Sequence, residues 1–416
     1  MYQRRISSLL LKALADTPVV VLQGARQTGK STLAQMITGA AHPAQYLTMD
    51  DVSVLAAAQS DPVGFLKGLR DTNVILDEIQ RAPELLVSLK AEVDRQRKPG
   101  RFLLTGSANA MLLPRLADSL VGRMELITLW PLAQCEIVGS DADFITRVFR
   151  SDFATRLLPC DRQDVIRRAL RGGYPEVLNR VTAGSSDDRL TSWFDSYITT
   201  LLQRDVRDLA NIQGMSELPL LLRLIAARAT ATLNVADLSR GSRIPNVTLS
   251  RYLALLQATF LIQLAPPWST NLSSRLVKSP KLLMTDTGVL SFLNGWNEDQ
   301  VHRAPTAIGP LIESFVGMEL IKLASWNRLR PQLFYFRTHE RQGVDFVLQA
   351  QSGKVVGVEV KASSTVEASD FKGLNAFAEL AGKAFACGVV LYTGETVLPF
   401  GKRLFAVPIS ALWESA

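Results

Sequence analysis

Cysteine and histidine are both scarce, at three of each in 416 residues. Cys135, Cys160 and Cys387 lie far apart, as do His42, His302 and His339. That spacing excludes a disulfide framework and a Cys/His zinc ligand set, and it points to a reduced setting. Long apolar runs are also missing. No stretch reaches the roughly 18 uninterrupted apolar residues a membrane span needs, and the best candidate, Leu218 to Ala227, is broken by Arg223. The opening segment MYQRRISSLLLKALADT has charge followed by apolar residues but no small-residue cleavage site. An amphipathic helix is therefore expected rather than a signal peptide, together with a cytoplasmic location and no membrane partner. Neither sign of charge dominates: 46 Lys and Arg face 39 Asp and Glu, a net charge of +7. Only residues 233–312 tilt clearly, with seven basic side chains against four acidic ones.

What is present is enough apolar residue, 47% of the chain, for more than one core. Residues 17–132 alternate short Val/Leu/Ile runs with helical patterns: TPVVVLQG, QYLTMDD, NVILDEIQ, RFLLTGSA and MELITLWPL. Runs of this kind predict an α/β fold with a parallel sheet buried on both faces. Residues 150–232 read as helices. The stretch 233–290 reads as three short helices and two strands, and 309–407 returns to mixed α/β. The expected division is 1–140, 141–232, 233–308 and 309–416.

The segment Gly24-Ala25-Arg26-Gln27-Thr28-Gly29-Lys30-Ser31-Thr32 carries the GxxxxGK[ST] pattern between an apolar strand and a helical pattern. Glycines let several backbone N–H groups turn towards one anion, and the following helix adds its positive end. Lys30 would reach the β- and γ-phosphates of ATP, and Ser31 would place its hydroxyl on Mg²⁺. Asp77 and Glu78 end the run NVIL, where the first can hold the metal shell and the second can polarise an attacking water. The same pair could instead open a helix as a cap. RFLLTGSAN delivers Ser107, the preferred sensor of the γ-phosphate, and then Asn109 to the same edge. Arg123 in VGRMEL is the candidate charge stabiliser, in its own chain or across a subunit boundary in a homo-oligomer. A surface or structural arginine is the other reading.

The basic block LNVADLSRGSRIPNVTLSRYLALLQATFLIQLAPPW reads as a helix–turn–helix. Val235 to Arg240 forms the first helix, Gly241 to Pro245 the turn, and Asn246 to Gln257 the second helix. Asn246 is the expected N-cap, with Val247, Tyr252, Leu255 and Leu256 on one face. Strands at FLIQLAP and KLLMTD would complete a winged helix, with Thr248, Ser250 and Arg251, and Arg243 in the turn, able to meet phosphates or bases of DNA. A packing module that touches no DNA fits the same pattern. Further on, Asp345 in GVDFVL and Glu359 and Lys361 in VEVKA fall on two neighbouring strands, with Glu313 on the helix before them. Such a set can bind Mg²⁺ and orient a hydroxide, or form a plain ladder of opposite charges.

GARQTGKST, VILDEIQ, LLTGSAN, GRMELITLWPL, LRGGYPEVL, LLQRDV, KLLMTDTGVL, GPLIESFVGMEL, GVDFVL and VEVKAS occur in this order along nearly the whole chain. In this the sequence resembles a family of prokaryotic AAA-type P-loop ATPases with a conserved C-terminal domain of unknown function. The resemblance implies an ATPase core, a winged-helix module and a terminal fold similar to PD-(D/E)xK nucleases. On that likeness Asp345, Glu359 and Lys361 match the nuclease motif and Glu313 its first acidic residue. The expected function is hydrolysis of ATP with Mg²⁺ in a DNA-associated protein acting on forked or single-stranded DNA, with nucleotide state moving the C-terminal domain. An ATP-gated nuclease and a nucleotide-switched protein scaffold are the alternatives.

Overall fold

The computed structural model describes residues 2–39, 41–107, 120, 122–153, 160–206, 217–271, 279–338 and 343–414. The five apolar runs become strands β1 (Val19–Gln23), β2 (Gln45–Thr48), β3 (Val74–Asp77), β4 (Phe102–Gly106) and β5 (Met124–Thr128). They form one parallel sheet in the order β2-β3-β4-β1-β5. The three central strands are buried at every residue, while β2 and β5 at the edges are partly exposed. Alternation divides each strand between two cores. Val19, Val21, Leu76 and Leu104 join Leu85, Leu86 and Leu89 of helix Leu85–Arg95 on one face. Val20, Leu22, Ile75 and Leu103 join α1 (Ser7–Asp16) and α2 (Lys30–Ile37) on the other. Because all five strands run the same way, the ends of β1, β3 and β4 bring the loop 24–29, Asp77 and Ser107 to one edge.

Helices 162–171, α3 (Pro175–Thr182), α4 (Asp187–Thr200) and 218–226 follow. The helix–turn–helix is α5 (Val235–Ser242) and α6 (Asn246–Ala258), with β6 (Ile262–Ala265) and β7 (Lys281–Met284) paired antiparallel beside it. Two details differ from expectation. Asn246 is the first helical residue and caps nothing; Pro245 precedes it and sets the entry angle, while Asn234 caps α5 by accepting from the Asp237 N–H at 3.0 Å. Val247 is 85% exposed, and the buried face of α6 is Leu249, Tyr252, Leu253 and Leu256, a spacing of 3, 1 and 3 residues that keeps to one helical stripe.

The last part is α7 (Ile308–Trp326) and a six-stranded mixed sheet in the order β12-β13-β11-β10-β9-β8. Its strands are β8 (Gln332–Arg337), β9 (Gly343–Gln349), β10 (Val355–Lys361), β11 (Phe385–Tyr392), β12 (Leu398–Pro399) and β13 (Leu404–Pro408). Most residues of α7 are buried, including the charged Glu319 and Lys322. The apolar core runs without interruption from Trp130 and Cys135 through the helical segment to Val356, Val389 and Leu391 of the C-terminal sheet.

Candidate nucleotide site

The loop 24–29 takes its shape from two glycines. A Cβ on Gly24 would lie 2.2 Å from the Leu129 carbonyl oxygen, so only glycine permits that approach. Gly29 has φ 93°, in the left-handed region, and leads straight into α2 with no side chain capping the helix. The N–H groups of that first turn therefore face the loop. Thr28 Oγ1 donates to the Ala25 carbonyl at 2.9 Å, and Lys30 Nζ donates to the carbonyls of Gly24 (3.0 Å) and Ala25 (2.8 Å). Lys30 is buried, and both of these bonds go to main-chain carbonyls of the loop. Arg4, which the sequence reading did not single out, braces the loop from behind. Its guanidinium donates to the Thr28 carbonyl (2.8 Å), the Trp130 carbonyl (2.6 Å) and Glu136 (3.1 Å).

Asp77 is 4% exposed and receives three hydroxyls. Ser31 Oγ donates to Oδ1 at 3.0 Å, the Thr105 hydroxyl donates to the same oxygen, and Tyr46 donates to Oδ2 at 2.6 Å. Burial, and then the Asp77 carboxylate, hold the Tyr46 phenol well above its ordinary value, so it stays a donor. Ser31 and Asp77 thus touch. An alcohol oxygen beside a carboxylate oxygen is a donor set that Mg²⁺ accepts, so these residues fit that ion. Glu78 has φ 56°, a strained setting for a glutamate. Its N–H donates to Thr105 Oγ1 at 3.2 Å, and its carboxylate accepts from the Gln80 amide, which also reaches Ser107 Oγ at 3.1 Å. Gln80 therefore joins the two candidate catalytic groups. Asn109 lies outside the described residues.

Arg123 is the exception. It immediately precedes Met124, which pairs with Val19 at the sheet edge opposite the phosphate loop, and its guanidinium is held by Asp94 at 2.5 and 3.0 Å. Within one chain it does not reach the site, because a parallel strand puts its start and its end on opposite edges.

Above the loop is a cavity of about 640 Å³. Its floor is Arg26, Gln27, Gly29, Lys30, Ser31, Thr32 and Glu78; its roof is α3 and α4, with Glu176, Asn179, Arg180, Trp193 and Tyr197. Trp193 and Tyr197 stack 5.1 Å apart, and the Tyr197 hydroxyl donates to the Arg26 carbonyl at 3.3 Å. Arg180 pairs with Glu176 at 2.8 Å. The sequence reading did not find this roof, although LRGGYPEVL was its signal. The two glycines there are packed too closely for side chains: a Cβ on Gly172 would meet the Asp286 carboxylate at 2.3 Å, and one on Gly173 the Leu132 carbonyl at 2.3 Å.

The C-terminal carboxylates also come together, but around a lysine the sequence reading left out. Lys281 Nζ bonds Glu313 Oε1 at 2.5 Å and the Asp345 carbonyl and Oδ1 at 3.1 and 3.4 Å. Asp345 Oδ2 accepts from the Val360 N–H at 3.0 Å. Lys361 pairs with both Glu359 and Asp370 at 3.4 Å. Burial and then Asp345 push Glu313 up to about 7 and Glu359 up to about 8. Burial opposes the Lys281 charge, but Asp345 and Glu313 outweigh it and raise its value. As arranged, these residues do not fit a metal ion: an ammonium lies between the two acids, and no group of three or more His, Cys, Asp or Glu among the described residues could hold one.

Residues 16–138 match an AAA domain, 162–300 a domain of unknown function (DUF8612) and 308–412 another (DUF4143). The chain is 30% identical over 406 residues to the uncharacterized protein Rv2008c of Mycobacterium tuberculosis, covering 98% of this chain and 83% of that one. The uncharacterized protein Mb2031c of Mycobacterium bovis gives the same figures. The chain belongs to their family. Its residues 16–138 form an AAA-type P-loop core, and no helix among its described residues is long and apolar enough to cross a membrane. Two solved structures overlap it only loosely. A STAND-class signal transduction ATPase with a tetratricopeptide repeat sensor from Pyrococcus horikoshii gives a TM-score of 0.29 at 14% identity, over 78% of this chain and 47% of that one. PCH-2 of C. elegans gives 0.25 at 14%, over 61% and 70%. Overlaps of this size carry no argument.

Proposed function

We propose that this AAA protein hydrolyses ATP with Mg²⁺ and uses the nucleotide state to move its helical and C-terminal parts. The contact of Ser31 with Asp77 at the foot of the cavity over Lys30 carries this reading. In it the loop N–H groups and Lys30 hold the phosphates, while Ser31 and Asp77 hold the metal. Mg²⁺ held by Ser31 and Asp77 would supply neutralisation of the phosphate charge. Glu78 orients the attacking water and accepts its proton, with Gln80 and Ser107 fixing where its carboxylate points. Arg26 and Arg180 are the arginines lining the cavity among the described residues, so further positive charge comes from them or from a neighbour in a homo-oligomer.

Coupling follows from the roof. Tyr197 rests on the phosphate loop while its helix shares a core with α6, α7 and the C-terminal sheet. A nucleotide that separates or tightens the Arg26–Tyr197 contact would tilt that whole body. We further read the partner as DNA, forked or single-stranded, since α6 turns Asn246, Ser250 and Arg251 outward with Arg240 and Arg243 beside them, all exposed. ATP turnover by wild type and Glu78→Gln, with and without duplex, single-stranded and forked DNA, tests both statements. Turnover lost in Glu78→Gln supports the hydrolase, and stimulation by DNA supports the partner. Normal turnover in Glu78→Gln contradicts the first, and indifference to every DNA leaves the protein scaffold as the reading of the second.

A further inference from the structure

The acidic cluster of the C-terminal sheet already contains a cation. Lys281 lies on β7, 7% exposed, and its three N–H bonds meet three oxygens: Glu313 Oε1 at 2.5 Å, the Asp345 carbonyl at 3.1 Å and Asp345 Oδ1 at 3.4 Å. Two carboxylates and one main-chain carbonyl are the kind of oxygen donors a hard divalent cation takes. The face of Phe346 closes a further side, with its ring centre 4.9 Å from Nζ. The remaining oxygen of Asp345 is used by the Val360 N–H at 3.0 Å. An ammonium so placed both neutralises the acids and keeps another cation out, since two positive charges at contact in a buried site repel strongly.

We propose that the Lys281 ammonium is the resident cation of this cluster, replacing a divalent metal and clamping the β6–β7 unit to α7 and β9. The clamp joins the segment 162–300 to the segment 308–412, which are otherwise separate family matches. The C-terminal sheet then works without metal and cuts no phosphodiester bond. Removing the lysine's charge would reopen the position to a divalent cation. With Lys281 replaced by an uncharged side chain of similar length, Glu313 and Asp345 face one another without compensation, and a divalent cation becomes the group that can hold them. The proposal is independent of the nucleotide site.

The test is binding of Mn²⁺ to the full chain without nucleotide, followed by the loss of the free-ion electron paramagnetic resonance signal. Wild type and Asp345→Asn should bind alike, with no component that depends on Asp345. Lys281→Met should gain one Mn²⁺ per chain, at least about tenfold tighter than any wild-type binding, and Lys281→Met with Asp345→Asn should lose it again. Lys281→Arg, which keeps the charge, should behave as wild type. Mn²⁺ binding by wild type that Asp345→Asn abolishes would overturn the proposal, as would a folded Lys281→Met that gains nothing. Should Lys281→Met fail to fold, the comparison of wild type with Asp345→Asn decides alone.

Discussion

The two acidic sites of this chain differ in what answers their charge. At the N-terminal site Asp77 is held by three hydroxyls, from Ser31, Thr105 and Tyr46, and Lys30 donates to loop carbonyls. Among the described residues the side chains that donate to Asp77 are hydroxyls, an arrangement suited to a metal ion arriving with phosphate. At the C-terminal site Glu313 and Asp345 share Lys281, and Glu359 faces Lys361. There the protein supplies its own cations. Carboxylates at the end of a strand are thus poor evidence for a metal until the identity of their donors is known.

The largest effect expected is at the first site. Glu78→Gln should lower ATP turnover by ~10²–10⁴-fold while nucleotide binding persists, if Glu78 is the general base. Turnover and binding measured side by side check this, and equal loss of both would make Glu78 a structural residue. Next is the joint between the two regions. Asp286 is 3% exposed, caps the helix at Val289 N (3.1 Å) and accepts from Gly173 N (2.7 Å). Asp286→Ala should cost about 2–3 kcal/mol in denaturant unfolding, from the lost cap and the stranded N–H.

A smaller effect separates the sites by pH. Glu313 and Glu359 are raised by burial and then by Asp345, to about 7 and about 8, from an ordinary 4.5. Between those values the folded chain keeps protons that the unfolded chain has released, so their contribution to stability falls as pH rises from about 5 to about 8. The melting temperature of Glu359→Gln relative to wild type should therefore improve across that window; a flat or opposite difference would mean that Glu359 is ionised throughout. The smallest expected effect is at the roof. Tyr197→Phe removes the hydrogen bonds to the Arg26 carbonyl and to the buried Tyr174 hydroxyl and should change stability by about 1–2 kcal/mol, while altering how nucleotide affects that stability.

Much of the first site could be read in the sequence, because its chemistry is local. Eight consecutive residues make the motif, Gly24 to Ser31, and a buried strand must end at Asp77, so period and motif together specify the edge where they meet. Arg4, Gln80, Tyr197 and Lys281 could not be found in this way. Each acts on a partner distant in sequence or through a turn, and nothing in a lysine at the start of KLLM marks it as the counter-ion of Asp345. Arg123, close in sequence to the sheet, lies at its far edge within one chain, which leaves the readings across a subunit boundary and as a surface arginine. Strands β12 and β13 also escaped notice: the two residues of β12 have no period to detect, and the five of β13 form a short apolar run without clear alternation. The cap at Asn246 failed because Pro245 already fixes the helix entry.

The central claim is that the cavity over Lys30 takes a magnesium nucleotide, and calorimetric titration with a non-hydrolysable ATP analogue tests it most directly. The account predicts one site per chain, binding that weakens when Mg²⁺ is withheld, and its loss in Lys30→Ala. No binding by folded wild type, or equal binding by Lys30→Ala, would contradict it.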